Sequence, residues 1–382
     1  MPLYIKKLND LHIEQYLREE GPKSHAGKAK TPTAGGVCFW LAIVITAMGW
    51  QILDLILRTN AQSADAASAR TPVIYVSMIT VLFFASICWA LGLWDDLAKV
   101  QQKANKGISE RLRLGVETVT GLCLGLILVG LGATLRQMAQ PNMVTALGNL
   151  ALPGTIAAGT SIAHTVVKLQ PDGVPWFITV LIATFLIPAT TNAVNLHDGM
   201  DGLAGGTSFL ILVTMGIIFA VSGQFDLALL CSISSGALLA FLLFNKYPAK
   251  IFMGDTGSLF LGGLIGALGA AGGILIWFVP LTLIYIVEAL SVMAQVSYFK
   301  LTKPYTPDKP MSTAKLLWTK MTKRLPGEGK RIFRMAPLHH HFEAVLGEKG
   351  VREWQIVLGF WCVQAVICLL VLVAFFSTRP TH

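Results

Sequence analysis

Nine separate stretches of predominantly apolar residues constrain this chain more than any other feature, because a run of roughly 20 such residues satisfies its backbone within a bilayer only as a helix. They cover about 35–58, 72–94, 114–133, 174–194, 203–222, 227–244, 256–275, 278–299 and 354–377. Composition agrees: 54% of the 382 residues are hydrophobic and 13% are charged, against about 25% charged in an ordinary soluble domain. The expected fold is therefore an all-α polytopic membrane protein with about nine transmembrane helices. The first 34 residues are polar and basic, so no cleavable signal peptide is expected. All six cysteines fall inside apolar runs, which reads as small buried hydrophobes and not as disulfides or metal ligands.

An odd number of spans puts the two termini on opposite sides. With the N-terminus in the cytoplasm, 25 of the 30 Lys and Arg residues lie inside, as the positive-inside rule requires. The net charge of +9 is thus a topology signal and gives no reason to expect nucleic acid. The expected organisation is a cytoplasmic segment 1–34, one integral catalytic domain 35–377 and a periplasmic tail 378–382. Residues 303–328, with four prolines and six Lys or Arg, read as a cytoplasmic loop with one amphipathic turn near Leu316, Leu317 and Trp318. Within 134–173 the moderately apolar stretch Met143 to Ala163 is interrupted by Pro153 and three glycines, so the segment reads as an external loop or hairpin. This topology brings every polar motif to the cytoplasmic side.

Five motifs carry chemistry. In NAVNLHDGMDG (192–202), Asp198 and Asp201 are each followed by glycine at a membrane boundary. They can hold a divalent cation or accept hydrogen bonds from a polar substrate, and they are also ordinary turn residues. In GLWDDLAK (92–99), Asp95 and Asp96 point in different directions on a helix, so one can bind metal while the other acts on substrate. Lys99 stands four residues after Asp95 and can simply pair with it. In NKYPAKIFMGDTGS (245–258), Asp255 sits between Gly254 and Gly257 as a metal ligand on a turn, or as a cap for the following helix.

The histidines of APLHHHFE (336–343) can contact phosphate or sugar, coordinate a transition metal, or merely face headgroups. Consecutive residues seldom aim three rings at one ion, which favours phosphate or sugar. Lys23, Lys28, Lys30, Thr31 and Thr33 of GPKSHAGKAKTPTAGG (21–36) form a basic, hydroxyl-rich segment that suits substrate phosphate or anionic lipid. Several aspartates with few cysteines favour Mg²⁺ over zinc. Together the motifs fit phosphoryl transfer between a soluble nucleotide-activated donor and a lipid-borne phosphate. A cation transporter should carry charges near the bilayer midplane, whereas only Glu288 lies well inside a span here.

SHxxK followed by TPTxGG, then DDxxK, NAVNLxDGxDGLA, FMGDxGS and PLHHHFE resemble, in this order, the phospho-N-acetylmuramoyl-pentapeptide transferases. These form a branch of the polyprenyl-phosphate N-acetylhexosamine-1-phosphate transferase superfamily. The likeness runs from about residue 15 to the last span, and PLHHHFE sets it apart from sister enzymes that use UDP-GlcNAc. The resemblance implies Mg²⁺-dependent transfer of phospho-MurNAc-pentapeptide from UDP-MurNAc-pentapeptide to undecaprenyl phosphate, giving lipid I and UMP, in the bacterial inner membrane.

It also implies roles. Asp255 would bind Mg²⁺, and Asp95 and Asp96 would lie in the catalytic centre, one of them as base. Asn195, Asp198 and Asp201 would hold the nucleotide, and Phe252 would stack on uracil. Lys28, Thr33, Lys99, Asn245, His339 and His340 would line the nucleotide, sugar and phosphate region. Family members are often homodimers. They usually have ten spans, one of them before SHxxK, and this sequence opens about where that span should end. It also carries Ala29-Lys30 and Ala34 where the family has other residues, and residues 303–328 read as an insertion.

Overall fold

The computed structural model describes residues 1–11, 13, 31–64, 76–102, 107–138, 175–305, 311–323 and 325–378. Every regular element among them is a helix: α1 (Pro2–Asp10), α2 (Gly36–Ala64), α3 (Val76–Gln102), α4 (Glu110–Met138), α5 (Trp176–His197), α6 (Leu203–Val221) and α7 (Phe225–Asn245). After these come α8 (Gly254–Ala271), α9 (Leu275–Leu281), α10 (Leu283–Thr302), α11 (Thr313–Thr322), α12 (Leu338–Gly347) and α13 (Glu353–Ser377). Most of the segment expected to be an external hairpin, together with Lys28, lies outside the described residues.

Eight of these helices are long and apolar enough to cross a membrane: α2 to α7, α10 and α13. The chain is thus a multi-pass membrane protein. The ninth expected span, 256–275, corresponds to α8, whose glycines and Asp255 dilute its hydropathy. Nothing in α8 needs to face lipid, because every residue from Thr256 to Ala271 is buried. The run expected at 278–299 is divided at Thr282 into the short α9 and the longer α10.

Helix α8 is the axis of the bundle, and small residues let its neighbours approach it closely. A methyl group on Gly92 of α3 would overlap the backbone of Asp255 and Thr256. One on Gly262 of α8 would overlap the backbone of Thr190 and Thr191 in α5. Around this axis a single apolar cluster joins residues such as Phe39, Met78, Ile187, Phe219, Phe260 and Leu264. Buried polar contacts fix the outer helices. The Tyr285 hydroxyl of α10 meets Thr207 Oγ1 at 3.0 Å and Ser208 Oγ at 2.8 Å on α6, while Trp40 of α2 stacks on Trp89 of α3 at 3.7 Å.

Only Cys88, Cys231 and Cys368 are buried, so the expectation of six buried cysteines fails for the other three. Cys123 and Cys362 face outward from the bundle, where a thiol is as compatible with lipid as with a core. All six are free, in keeping with the absence of disulfides expected from the sequence. The 303–328 segment contains more than the single turn expected. Its helix α11 is capped by Ser312, whose side chain accepts from the Lys315 amide, and it leaves Trp318 exposed.

The segment before α2 docks through backbone bonds. Phe252 N donates to Pro32 O at 2.8 Å, and Gly35 N donates back to Phe252 O at 2.8 Å. This puts Ala34 at φ +64°, a left-handed conformation that costs an L-residue roughly 1–2 kcal/mol. Its methyl is buried and its carbonyl accepts from the Tyr4 hydroxyl at 3.1 Å. Ala34→Val adds a β-branch in that conformation and is expected to cost about 2 kcal/mol or more, lowering the melting temperature, while Ala34→Gly stays within about 1 kcal/mol. Equal melting temperatures for the two variants would refute the strain argument.

Candidate active site

The N-terminus of α8, the C-terminal ends of α3 and α5, and the first turns of α4 meet at one end of the bundle. The order in which they meet follows from hydrogen bonding. Asp96 receives Asp255 N at 3.0 Å, Thr256 N at 2.9 Å and Thr256 Oγ1 at 2.6 Å. It therefore caps α8 from another helix, satisfying amides that would otherwise be orphaned and complementing the positive end of the helix dipole. The cap role considered for Asp255 belongs to Asp96, and Asp255 is left to point into the site.

There Lys99 acts as a hinge pin between carboxylates. Its Nζ lies 2.6 Å from Asp95 Oδ2 and 2.8 Å from Asp255 Oδ2. The i,i+4 pairing seen as an option in the sequence thus exists, and a second carboxylate from across the fold joins it. Asp95 Oδ1 also accepts from Ile108 N at 2.8 Å, a contact that needs Gly107, since a Cβ there would overlap the carboxylate. Asn195 of α5 donates to Asp255 Oδ1 at 2.9 Å and to Ser258 Oγ at 3.0 Å.

Three participants were not singled out from the sequence. Arg113 of α4 brings Nη1 to 3.8 Å from Asp255 Oδ2 and donates from Nη2 to Asn192 Oδ1 at 2.8 Å. Asn192 in turn donates to the fully buried Glu117 at 2.6 Å. The signal was present but faint: an arginine and a glutamate four residues apart at the mouth of an apolar run are costly without partners.

The remaining expected residues divide into two groups. Thr33 belongs beside the centre, because a Cβ on Gly254 would lie 2.8 Å from Thr33 Oγ1 and against the Asp96 carboxylate. Asp198, on the turn between α5 and α6, shares the field of the other acids: burial, then Asp255, Asp96 and Asp201, push its carboxyl up to about 8. Asp201 and Asn245 hold backbone. Asp201 Oδ2 accepts from Ala249 N at 2.9 Å, and Asn245 Nδ2 donates to Ile251 O at 3.0 Å, so together they shape the 246–253 loop that presents the half-buried Phe252.

The three consecutive histidines diverge. His339 is buried against Glu288, His340 Nδ1 lies 3.1 Å from Glu343, and His341 Nδ1 accepts from the Arg334 amide at 3.2 Å. Burial and the neighbouring charges bring the His339 imidazole down to about 4, although its contact with Glu288 acts the other way.

Oxygen donors dominate the centre. Two carboxylate oxygens, from Asp95 and Asp255, already converge on one cation, the Lys99 ammonium, and Asp96 and Asp198 stand close by. Such a donor set suits a hard divalent ion and offers nothing to a thiophilic one.

The bundle carries an acidic, lysine-bridged centre at one end, and the family described as "Glycosyl transferase family 4" matches residues 78–273, which makes the chain a polytopic transferase. Those residues include Asp95, Asp96, Asn195 and Asp255. Similar proteins named phospho-N-acetylmuramoyl-pentapeptide-transferase occur in Acaryochloris marina, 35% identical over 96% of this chain and 80% of the relative, and in Shouchella clausii, 33% identical over 97% and 91%. Another, in Bifidobacterium longum, is 33% identical and covers 100% of this chain and 93% of its own. The chain belongs to the phospho-N-acetylmuramoyl-pentapeptide-transferase family.

Proposed function

We propose that this protein transfers phospho-MurNAc-pentapeptide from UDP-MurNAc-pentapeptide to undecaprenyl phosphate, forming lipid I and releasing UMP, at the cytoplasmic face of a bacterial inner membrane. The observation that carries the reading is the near-full-length likeness to relatives of that name, with the acidic centre inside the matched region. In this reading an oxygen of the lipid phosphate attacks the sugar-bearing phosphorus of the donor. The bond to the uridine-bearing phosphate breaks, and UMP leaves.

The roles follow from what each carboxylate is free to do. Asp96 spends its oxygens on three donors from α8, whereas Asp95 meets only Lys99 and the Ile108 amide, so Asp95 would be the base for the proton of the lipid phosphate. Asp255 would hold Mg²⁺, with Asn195 orienting it. Bound there, Mg²⁺ supplies positive charge to the diphosphate as negative charge builds on the leaving oxygen. Lys99 and Arg113 add fixed positive charge next to the same oxygens. Asp198, whose carboxyl is pushed up by burial and the neighbouring acids, can hydrogen-bond the nucleotide, while Phe252 offers a face for uracil. An apolar cavity of about 470 Å³ between α10, α12 and α13, lined by Ile284, Val287, Leu338, Phe342 and Phe360, suits part of a polyprenyl chain.

The test is UMP release by purified protein supplied with undecaprenyl phosphate, Mg²⁺ and one donor at a time. Turnover is expected with UDP-MurNAc-pentapeptide and none with UDP-GlcNAc. Turnover with UDP-GlcNAc alone would overturn the proposal.

A further inference from the structure

Beyond the acidic centre, the bundle buries a second cluster of ligand-type side chains. His197 closes α5, Glu288 lies within α10 and His339 opens α12; their exposures are 0%, 1% and 0%. His197 Nδ1 is 3.6 Å and His339 Nδ1 is 3.3 Å from the same Glu288 oxygen, Oε1. Neither contact has the geometry of a hydrogen bond. Both nitrogens of both imidazoles, and Glu288 Oε2, are buried without a hydrogen-bond partner. One unsatisfied buried polar atom costs about 1–3 kcal/mol, and native interiors contain few of them. A single ion can take one nitrogen from each ring and one carboxylate oxygen, and so would give partners to up to three of these five atoms.

We propose that His197, Glu288 and His339 form a site for a first-row transition cation of the Zn²⁺ type. Two imidazoles and one carboxylate are a donor set that zinc accepts, and that Mg²⁺, which prefers oxygen ligands and retained water, does not. The spacing agrees, since ligand atoms about 2.0–2.1 Å from a tetrahedral ion lie roughly 3.3–3.4 Å apart. One ligand atom from each residue can be chosen so that all lie within 4.8 Å of one another.

The surroundings orient the ligands. The His339 amide donates to Glu288 Oε1 at 3.2 Å, holding the carboxylate in place. His339 Nε2 is turned against Gly199, where a Cβ would overlap it, which leaves Nδ1 facing Glu288. The His197 ring is packed edge-on against Tyr285 at 5.1 Å and Phe360 at 5.7 Å. An ion here ties α12 and its histidines to the α5 end, two residues from Asn195 and one from Asp198. It therefore acts as a staple that positions the turn beside the acidic centre, and it is independent of the metal expected at Asp255.

The experiment uses full-length protein purified without a histidine tag, loaded with Zn²⁺, desalted and analysed for metal. The wild type is expected to retain one zinc per chain, and His197→Ala and Glu288→Gln to retain none. His341→Ala and Asp255→Ala should keep it, which separates this site from the other histidines and from the acidic centre. Because the core variants can misfold, the wild type is also loaded with Co²⁺, which should give the visible absorption of a tetrahedral nitrogen-oxygen site. A wild type that keeps no zinc and gives no such absorption overturns the proposal. Full zinc retention in a folded His197→Ala overturns it too.

Discussion

Asp255→Ala is expected to lower UMP release by at least about 1,000-fold while the bundle remains folded. The side chain is the meeting point of Lys99 at 2.8 Å, Asn195 at 2.9 Å and Arg113 at 3.8 Å, so two cations and a side-chain amide converge on it. Removing it takes away the carboxylate best placed to hold Mg²⁺. Lys99 keeps its partner Asp95 at 2.6 Å, so no buried ammonium is left alone. The α8 cap also survives, because Asp96 receives backbone amides that alanine retains. Steady-state UMP release, read beside helical content by circular dichroism, checks both halves. A folded variant that turns over within tenfold of the wild type would remove Asp255 from the catalytic centre.

Gly92→Ala should do comparable damage from outside the chemistry. Its new methyl meets Asp255 and Thr256 backbone, which cannot swing aside like the end of a flexible side chain. Overpacking of this type costs roughly 1–3 kcal/mol. The strain falls on the junction where Asp96 caps α8, so relief must come from separating α3 and α8 and thereby moving Asp95 and Lys99 away from Asp255. A displacement of about 1 Å is enough for a loss on the order of 100-fold in turnover. The expected signature is a lower melting temperature together with a reduced kcat. Wild-type values for both would show that the helices have more room than this contact implies.

What was legible in the sequence was whatever depends on local composition. Long apolar runs announced the helices, and glycine-flanked aspartates marked where those helices end. Among these α8, expected at 256–275 and found at Gly254–Ala271, stands apart, since its glycines serve close packing and lower the hydropathy that identifies a span. The break at Thr282 between α9 and α10 went unread. The motifs supplied Asp95, Asp96, Lys99, Asn195 and Asp255 as candidates, and the fold brings these five together. They gave no means of dividing labour between Asp95 and Asp96, because adjacent helical residues differ only in direction, and direction acquires meaning from the helix standing opposite.

The same reason explains Arg113, Asn192 and His197. Each is unremarkable among its sequence neighbours and acquires a role only from partners far along the chain, such as Asp255, 142 positions after Arg113. His339 is the sharpest case: the sequence set it in a polar triplet, while packing turned its ring inward to Glu288. Sequence alone determined that this chain is a membrane-spanning helical protein with aspartates at the ends of its apolar runs, because hydrophobicity and charge belong to residues one at a time. Tertiary structure decided which carboxylate caps, which one is bridged by Lys99 and which histidine is buried, because those outcomes depend on distances and angles between helices that no local pattern encodes.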